Sequence, residues 1–251
     1  MYIGNSKTVE TPTLVQSLND INIKQVSSGF YHNMALSSDN QLYAWGRGEY
    51  GRLGTGSSND ESIPVLLEAL QDYKIISIKC GSSFNIALTS DGLVYTWGRN
   101  DKGQLGLGAG LILDNYSMES VPTQVEFDED VSIQHIDVGY RHCIVVDSDN
   151  RVFRWGQSQH LQPTLIKGDD SKFLKNKIIQ VAAGKNFSAA VDEYGHLFTF
   201  GDGSSCCLGH GDKTSVSQPK LVEGFGPRSE FGRVVQVFAT NTHMGVQTRK
   251  D

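Results

Sequence analysis

The sequence predicts an all-β chain built from repeated four-stranded units, and three observations carry that prediction. A glycine and a large aromatic residue recur sixteen positions apart: Gly29 and Trp45, Gly81 and Trp97, Gly139 and Trp155, Gly184 and Phe200. The stretch that runs into each aromatic residue alternates with period two, which is the period of a strand and not of a helix. Glycine supplies 27 of the 251 residues, and helix-favouring runs are few. Successive marker glycines lie 52, 58 and 45 residues apart, so a rigid cassette recurs while its connections lengthen and shorten. That is how stacked supersecondary units behave.

Each unit resolves into four short strands. The first ends in the marker glycine, as over residues 24–28 and 77–80. The second is a short apolar run: Asn33-Met34-Ala35-Leu36, Asn85-Ile86-Ala87-Leu88, Cys143-Ile144-Val145-Val146 and Ser188-Ala189-Ala190-Val191. A tight turn follows, with Asp39-Asn40, Asp91-Gly92, Asp149-Asn150 or Tyr194-Gly195 as the central pair of an expected two-residue hairpin, residue types that tolerate positive φ. In the third strand Tyr43 and Trp45, Tyr95 and Trp97, Phe153 and Trp155, and Phe198 and Phe200 share one face. Leu42, Val94, Val152 and Leu197 point the other way. A strand apolar on both faces must be covered on both, so each sheet is expected between two others, with the aromatic rings as the wedge. Losing such a ring would cost roughly 3–5 kcal/mol. Next comes a glycine-rich loop, Gly51-Arg52-Leu53-Gly54-Thr55-Gly56 or Gly103-Gln104-Leu105-Gly106-Leu107-Gly108; the fourth copy has Cys206 at the first glycine, and the third lacks the loop. Pro64, Pro122, Pro163 and Pro219 then open the expected outer strand, an edge position that suits a residue without a ladder donor.

The pattern Gly-x-x-His-x-x-Ala-Leu, then Asp-Gly-x-Val-Tyr-x-Trp-Gly, then Gly-Gln-Leu-Gly-x-Gly resembles the repeat of the regulator of chromosome condensation family, and it covers nearly the whole chain. The resemblance implies a β-propeller, most often of seven blades. Blades are expected at about residues 16–67, 74–126, 131–167 and 177–223 of one domain spanning 1–251. Residues 237–248 are half of a fifth copy, with Thr240 at the glycine position. Met1-Tyr2-Ile3-Gly4 reads as the end of a third strand and Pro12-Thr13-Leu14-Val15 as a fourth strand. Residues 233–251 with 1–15 would then make a composite blade that closes a ring of five; the alternative is a part of, or a shortened relative of, a seven-bladed ring.

A net charge of −6 argues against nucleic-acid binding, which needs a basic stripe. No apolar run is long enough to span a membrane, and the N-terminus lacks a signal pattern. Four cysteines without a bridging pattern point to a reducing, intracellular compartment, cytoplasmic or nuclear.

Residues with chemistry are few. His32, His142 and His243 share a position that holds Phe84 and Phe187 in the other copies, so they are read as structural histidines bonding neighbouring backbone. The glycine loops do not open a helix and lack the Gly-Lys-Ser/Thr ending of a phosphate cradle. No zinc-site spacing is present; His210 beside Cys206 and Cys207 is too little for a metal. No nucleophile context appears, and neither a metal, a cofactor nor a catalytic constellation is expected. What varies is the connections. Residues 109–120 carry Leu111, Ile112, Leu113, Tyr116 and Met118, too apolar for an ordinary loop, and residues 224–233 carry Phe225, Arg228 and Phe231, which suit interface anchors. The alternative reading of residues 109–120 is a segment folded back on the blade edge.

The expected function is a non-enzymatic propeller that presents variable loops to a protein partner. The resemblance implies a second reading, a guanine-nucleotide exchange factor for a small GTPase, since the founding member acts on Ran. It implies a third, the substrate-recognition part of a ubiquitin ligase assembly.

Overall fold

The structure is a computed structural model and describes residues 10–108, 117–127, 130–168 and 172–250. The alternating segments form eighteen strands among those residues. β1 (Ile23–Ser28), β2 (His32–Ser37), β3 (Leu42–Gly46) and β4 (Glu61–Leu66) make the first antiparallel sheet in chain order. The second holds β5 (Ile75–Cys80), β6 (Phe84–Thr89), β7 (Val94–Arg99) and β8 (Met118–Gln124). The third holds β9 (Ile133–Val138), β10 (His142–Asp147), β11 (Val152–Gly156) and β12 (His160–Leu165). The fourth holds β13 (Ile178–Ala183), β14 (Phe187–Asp192), β15 (Leu197–Gly201) and β16 (Val216–Leu221). β17 (Arg233–Ala239) and β18 (Met244–Arg249) form a two-stranded sheet.

The sheets stack face to face, and their cores lie between them. Leu36 and Leu42 of the first sheet, with Leu53 and Leu67 from its connections, pack against Ile75, Ile78, Tyr95 and Trp97 of the second. Leu88, Val94 and Leu105 meet Ile133, Val145 and Trp155 at the next interface. Trp97, Trp155 and Phe200 are all buried, so the wedge role read from the sequence holds. The inner strands β1, β5, β9, β13 and β17 lie side by side around an axis. They diverge too much for a ladder, so side chains bridge them. Gln25 donates to the Ile78 carbonyl at 2.9 Å and accepts from its N–H at 3.2 Å, and Gln180 repeats this with Val237. This satisfies backbone groups that would otherwise be buried unpaired.

Two local expectations need correction. The hairpin turns are longer than two residues, and in each only the second member of the central pair has positive φ: Asn40, Gly92, Asn150 and Gly195. The reason is a side-chain oxygen at the end of the second strand that takes over the turn. Ser37 Oγ accepts the N–H of Gln41, Thr89 Oγ1 that of Leu93, and Asp147 and Asp192 each accept two loop N–H groups. The outer strands also begin before the proline. In all four sheets two steps on the third strand oppose four on the outer one, as from Ala44 opposite Val65 to Gly46 opposite Glu61. Each proline sits directly at this bulge, where its missing N–H removes no ladder bond.

The closing blade is not formed by the described residues. Residues 12–15 are not a strand, and the turn Gln16–Leu18 that follows them lies against β4 of the first sheet. Met1, Tyr2, Ile3 and Gly4 lie outside the described residues. The sheets at the two ends of the row each keep an exposed face, with Val26 on β1 and Val235 and Phe238 on β17 open to solvent.

Candidate interaction surface

Because the strands run up and down in order, the turn between a sheet's first and second strands and the loop between its third and fourth leave on one face. The hairpin turn and the connection to the next sheet leave on the other. Hydrogen bonds follow this division. The N–H of Arg47 donates to the Tyr31 carbonyl on the first face, and Asn40 Nδ2 donates to the Tyr73 carbonyl on the second.

On the first face the inner turns form a collar around the axis. The N–H of Phe30 donates to the Ser82 carbonyl at 3.3 Å, that of Ser82 to Tyr140 at 3.4 Å, that of Tyr140 to Gly184 at 3.3 Å and that of Lys185 to Asn241 at 3.1 Å. The marker glycines line a central cavity of about 220 Å³. Each must be glycine because a Cβ would strike the ring three residues on: 2.2 Å from His32 for Gly29, 2.1 Å from Phe84 for Gly81.

His32 and His142 reach across to the next sheet, where each meets a side chain. Asn85 fixes the arrangement: its Nδ2 donates to the Arg52 carbonyl at 2.6 Å, so its Oδ1 accepts from His32 Nε2 at 2.6 Å. His142 Nε2 lies 3.0 Å from Ser188 Oγ, and its Nδ1 accepts from Gln157 at 3.2 Å. Burial holds both imidazoles near a pKa of about 4, so both are neutral at physiological pH. His243, in the turn between β17 and β18, is exposed.

The two residues between marker glycine and ring carry the chemistry of the face. Phe30 (52 % exposed) packs at 5.2 Å from the ring of Tyr140 and 6.4 Å from that of Tyr31 (56 % exposed). Arg47 lies over the Tyr31 ring at 5.7 Å; Arg141 and Lys185 lie over that of Tyr140 at 5.1 and 5.8 Å. The sequence reading passed over these residues because it treated the two positions as spacers. Their variation inside an otherwise fixed motif, Phe-Tyr, Ser-Ser, Tyr-Arg and Lys-Asn, was the available signal.

Among the described residues, those singled out from the sequence fall on two different faces. Leu111, Ile112, Leu113 and Tyr116 lie outside the described residues. Met118 opens β8 on the first face, 41 % exposed, with its sulfur 3.7 Å from Ser58 Oγ. Phe225, Arg228 and Phe231 belong to a connection on the opposite face. There Phe225 packs on the core of the fourth interface and Phe231 stacks on it at 5.4 Å. Arg228 is exposed with φ +57 at the tip of a turn closed by Ser229 Oγ on the Gly226 carbonyl. Among the described residues no group of three or more histidine, cysteine or acidic side chains could hold a metal ion. His210 bonds Thr199, Cys207 Sγ donates to the Asp202 carbonyl, and all four cysteines are free thiols. No helix among them is long and apolar enough to cross a membrane.

Comparison with known proteins agrees with this architecture. The pattern of the regulator of chromosome condensation (RCC1) repeat matches residues 39–88, 91–146 and 194–246, and a second form of it matches 23–52 and 75–104. The ultraviolet-B receptor UVR8 of Arabidopsis thaliana is 27 % identical over 93 % of this chain, which spans 53 % of that protein. The human E3 ubiquitin-protein ligase HERC2 is 29 % identical over 87 % of the chain, which spans 5 % of it. Among solved structures, human WBSCR16 superposes with a TM-score of 0.81 at 22 % identity, covering 99 % of this chain and 65 % of its own. Prp20p of Saccharomyces cerevisiae superposes with 0.77 at 20 %, covering 96 % and 58 %. The chain thus spans about half or less of the length of these two curated relatives. The sheet order, the marker glycines against their rings and the repeat matches over most of the sequence lead to one conclusion: the chain is a member of the regulator of chromosome condensation repeat family, with that family's propeller-type stacking of sheets.

Proposed function

We propose that the chain is a non-enzymatic protein-binding module that docks its partner on the first face, with Phe30, Tyr31 and Tyr140 as anchors. The observation that carries this reading is the exposed aromatic and cationic cluster on a collar of turns hydrogen-bonded from sheet to sheet. Tyrosine and arginine are the residue types that dominate binding hot spots, and a rigid presentation lowers the ordering cost of association. The net charge of −6 agrees with a protein rather than a nucleic-acid partner.

The test is partner capture with three forms of the chain. The parent and a Phe231→Ala variant on the opposite face should retain the same partners, and a Tyr31→Ala/Tyr140→Ala double variant should lose them with its unfolding midpoint unchanged. Retention of every partner by the double variant removes this face from the argument.

Two finer readings come from the relatives. Prp20p has binding properties to Gsp1p and histones, which supports assaying nucleotide release from a panel of small GTPases. Acceleration there would replace the binding-only reading with exchange. HERC2 is an E3 ubiquitin-protein ligase, which favours substrate recognition within such an assembly as the setting for the docking face.

A further inference from the structure

We propose that the slot between the third and fourth sheets binds an acidic peptide segment of about six residues, with Arg154 as its charged anchor. This rests on the reading of the chain as a protein-binding module and adds a second site to it.

The slot exists because the third unit lacks its glycine-rich loop. At the preceding interfaces that loop lies between neighbouring sheets. A Cβ on Gly54 would meet Trp97 Nε1 at 2.8 Å and one on Gly106 would meet that of Trp155 at 2.8 Å, while the loop residues Leu53 and Leu105 are fully buried. The loop is also hydrogen-bonded in place. Trp155 Nε1 donates to the Gln104 carbonyl, and Thr96 Oγ1 to that of Leu105. The N–H groups of Gly56 and Gly108 donate at 2.9 Å to the carbonyls of Ser120 and Leu161 on the next outer strand.

In the third sheet only Gln157, Ser158 and Gln159 join β11 to β12, and a cavity of about 670 Å³ stands where the loop would be. Its walls are the equivalents of the groups that hold a loop elsewhere. Phe200 replaces the tryptophan, leaving an apolar floor beside Phe187. Ser217 stands two residues before its proline, as Ser120 and Leu161 do. At the position of Thr96 the third sheet carries Arg154, whose Nη1 donates at 3.2 Å to the Ser217 carbonyl and whose guanidinium lies 5.8 Å from the Phe200 ring. The arginine therefore takes over one bond of the missing loop and brings a charge into the space.

That charge is not neutralised. No ion pair joins Arg154, Arg141 or Lys102, all facing the slot, to a carboxylate among the described residues. Asp202 is the one carboxylate in the lining, and its Oδ1 accepts the N–H of Ser204. On a chain of net charge −6 this is a local excess of positive charge in a volume that a six-residue stretch of polypeptide fills at the preceding interfaces. Shape selects a peptide, the cations select carboxylates, and the floor of Phe200 and Phe187 selects an apolar side chain among them.

The experiment is a fluorescence-anisotropy titration of the full chain with a labelled hexapeptide of two glutamates, a leucine and glycines. Its glutamine counterpart and a six-nucleotide single-stranded thymidine oligomer serve as comparison probes. The acidic peptide should bind at least tenfold more tightly than either. Arg154→Gln should weaken it at least tenfold, and replacing residues 157–159 with a copy of residues 103–108 should abolish it while the unfolding midpoint is kept. Should that graft fail to fold, Ser217→Trp blocks the slot from its exposed rim with the same expected loss. Equal binding of the glutamine peptide, equal binding of the oligomer, or full binding by the blocked variants each overturns the proposal. Because the probes are defined peptides, this outcome is independent of partner capture by the Tyr31→Ala/Tyr140→Ala chain.

Discussion

Gly81 and Phe84 show how a single residue can be fixed by its neighbour's ring. The glycine's φ is ordinary, and what excludes a side chain is the aromatic edge lying where Cβ would go. His32 and His142 occupy the same place against Gly29 and Gly139, so a polar ring does a phenylalanine's packing work. Burial makes that substitution sensitive to acid. In the folded state both histidines titrate near pH 4, against 6.5 when unfolded. The unfolded chain therefore binds protons first, and stability falls as pH drops from about 6.5 to about 4, by roughly 3 kcal/mol per ring at the lower limit. Above 6.5 these groups contribute no pH dependence. Urea unfolding of a His142→Phe variant across that window should show a shallower slope than the parent, by about one proton's worth. Carboxylates titrating in the same range cancel in the comparison, and identical slopes would refute the assignment.

At the scale of the element, most of what forms is local and was legible. The apolar second strands, the alternating third strands and the aromatic positions follow from period two and are found at those residues. The outer strands were legible in place but not in length. A proline in an extended run reads as a start, whereas the bulge beside it depends on pairing with the third strand. The glycine loops read correctly as loops, and Cys206, at the position of Gly51 and Gly103, keeps their left-handed backbone with φ +58. Hydrogen bonding separates two otherwise equivalent tryptophans. Trp155 Nε1 donates to the Gln104 carbonyl at 3.0 Å, whereas Trp97 Nε1 is buried without a partner. Trp155→Phe should thus destabilise more than Trp97→Phe, by about 1 kcal/mol. Denaturant midpoints at equal m-values decide it, and the reverse order would refute the pairing.

For the whole molecule, stability is that of a row. The interior sheets are covered on both faces, and those at the ends on one, with β1 half exposed along its length and β18 more so. In an array of this kind each unit draws stability from its neighbours. Hydrogen exchange should be slowest in β6, β10 and β14 and at least tenfold faster in β1, β17 and β18. Uniform protection along the row would contradict it.

The sequence by itself determined the repeat, its four strands, the buried aromatic wedge and the missing loop of the third unit, because all of these are written in local periodicity and spacing. Only the tertiary structure decided which positions share a surface. Phe30, Tyr31 and Tyr140 meet across sheets, whereas Met118 and Phe231 fall on opposite faces. A strand's direction is set by every turn before it, and contacts between units more than fifty residues apart leave no mark in either segment alone. For the same reason the lost loop read as a gap in a motif, and became a cavity with an arginine in its wall only once the fourth sheet stood opposite.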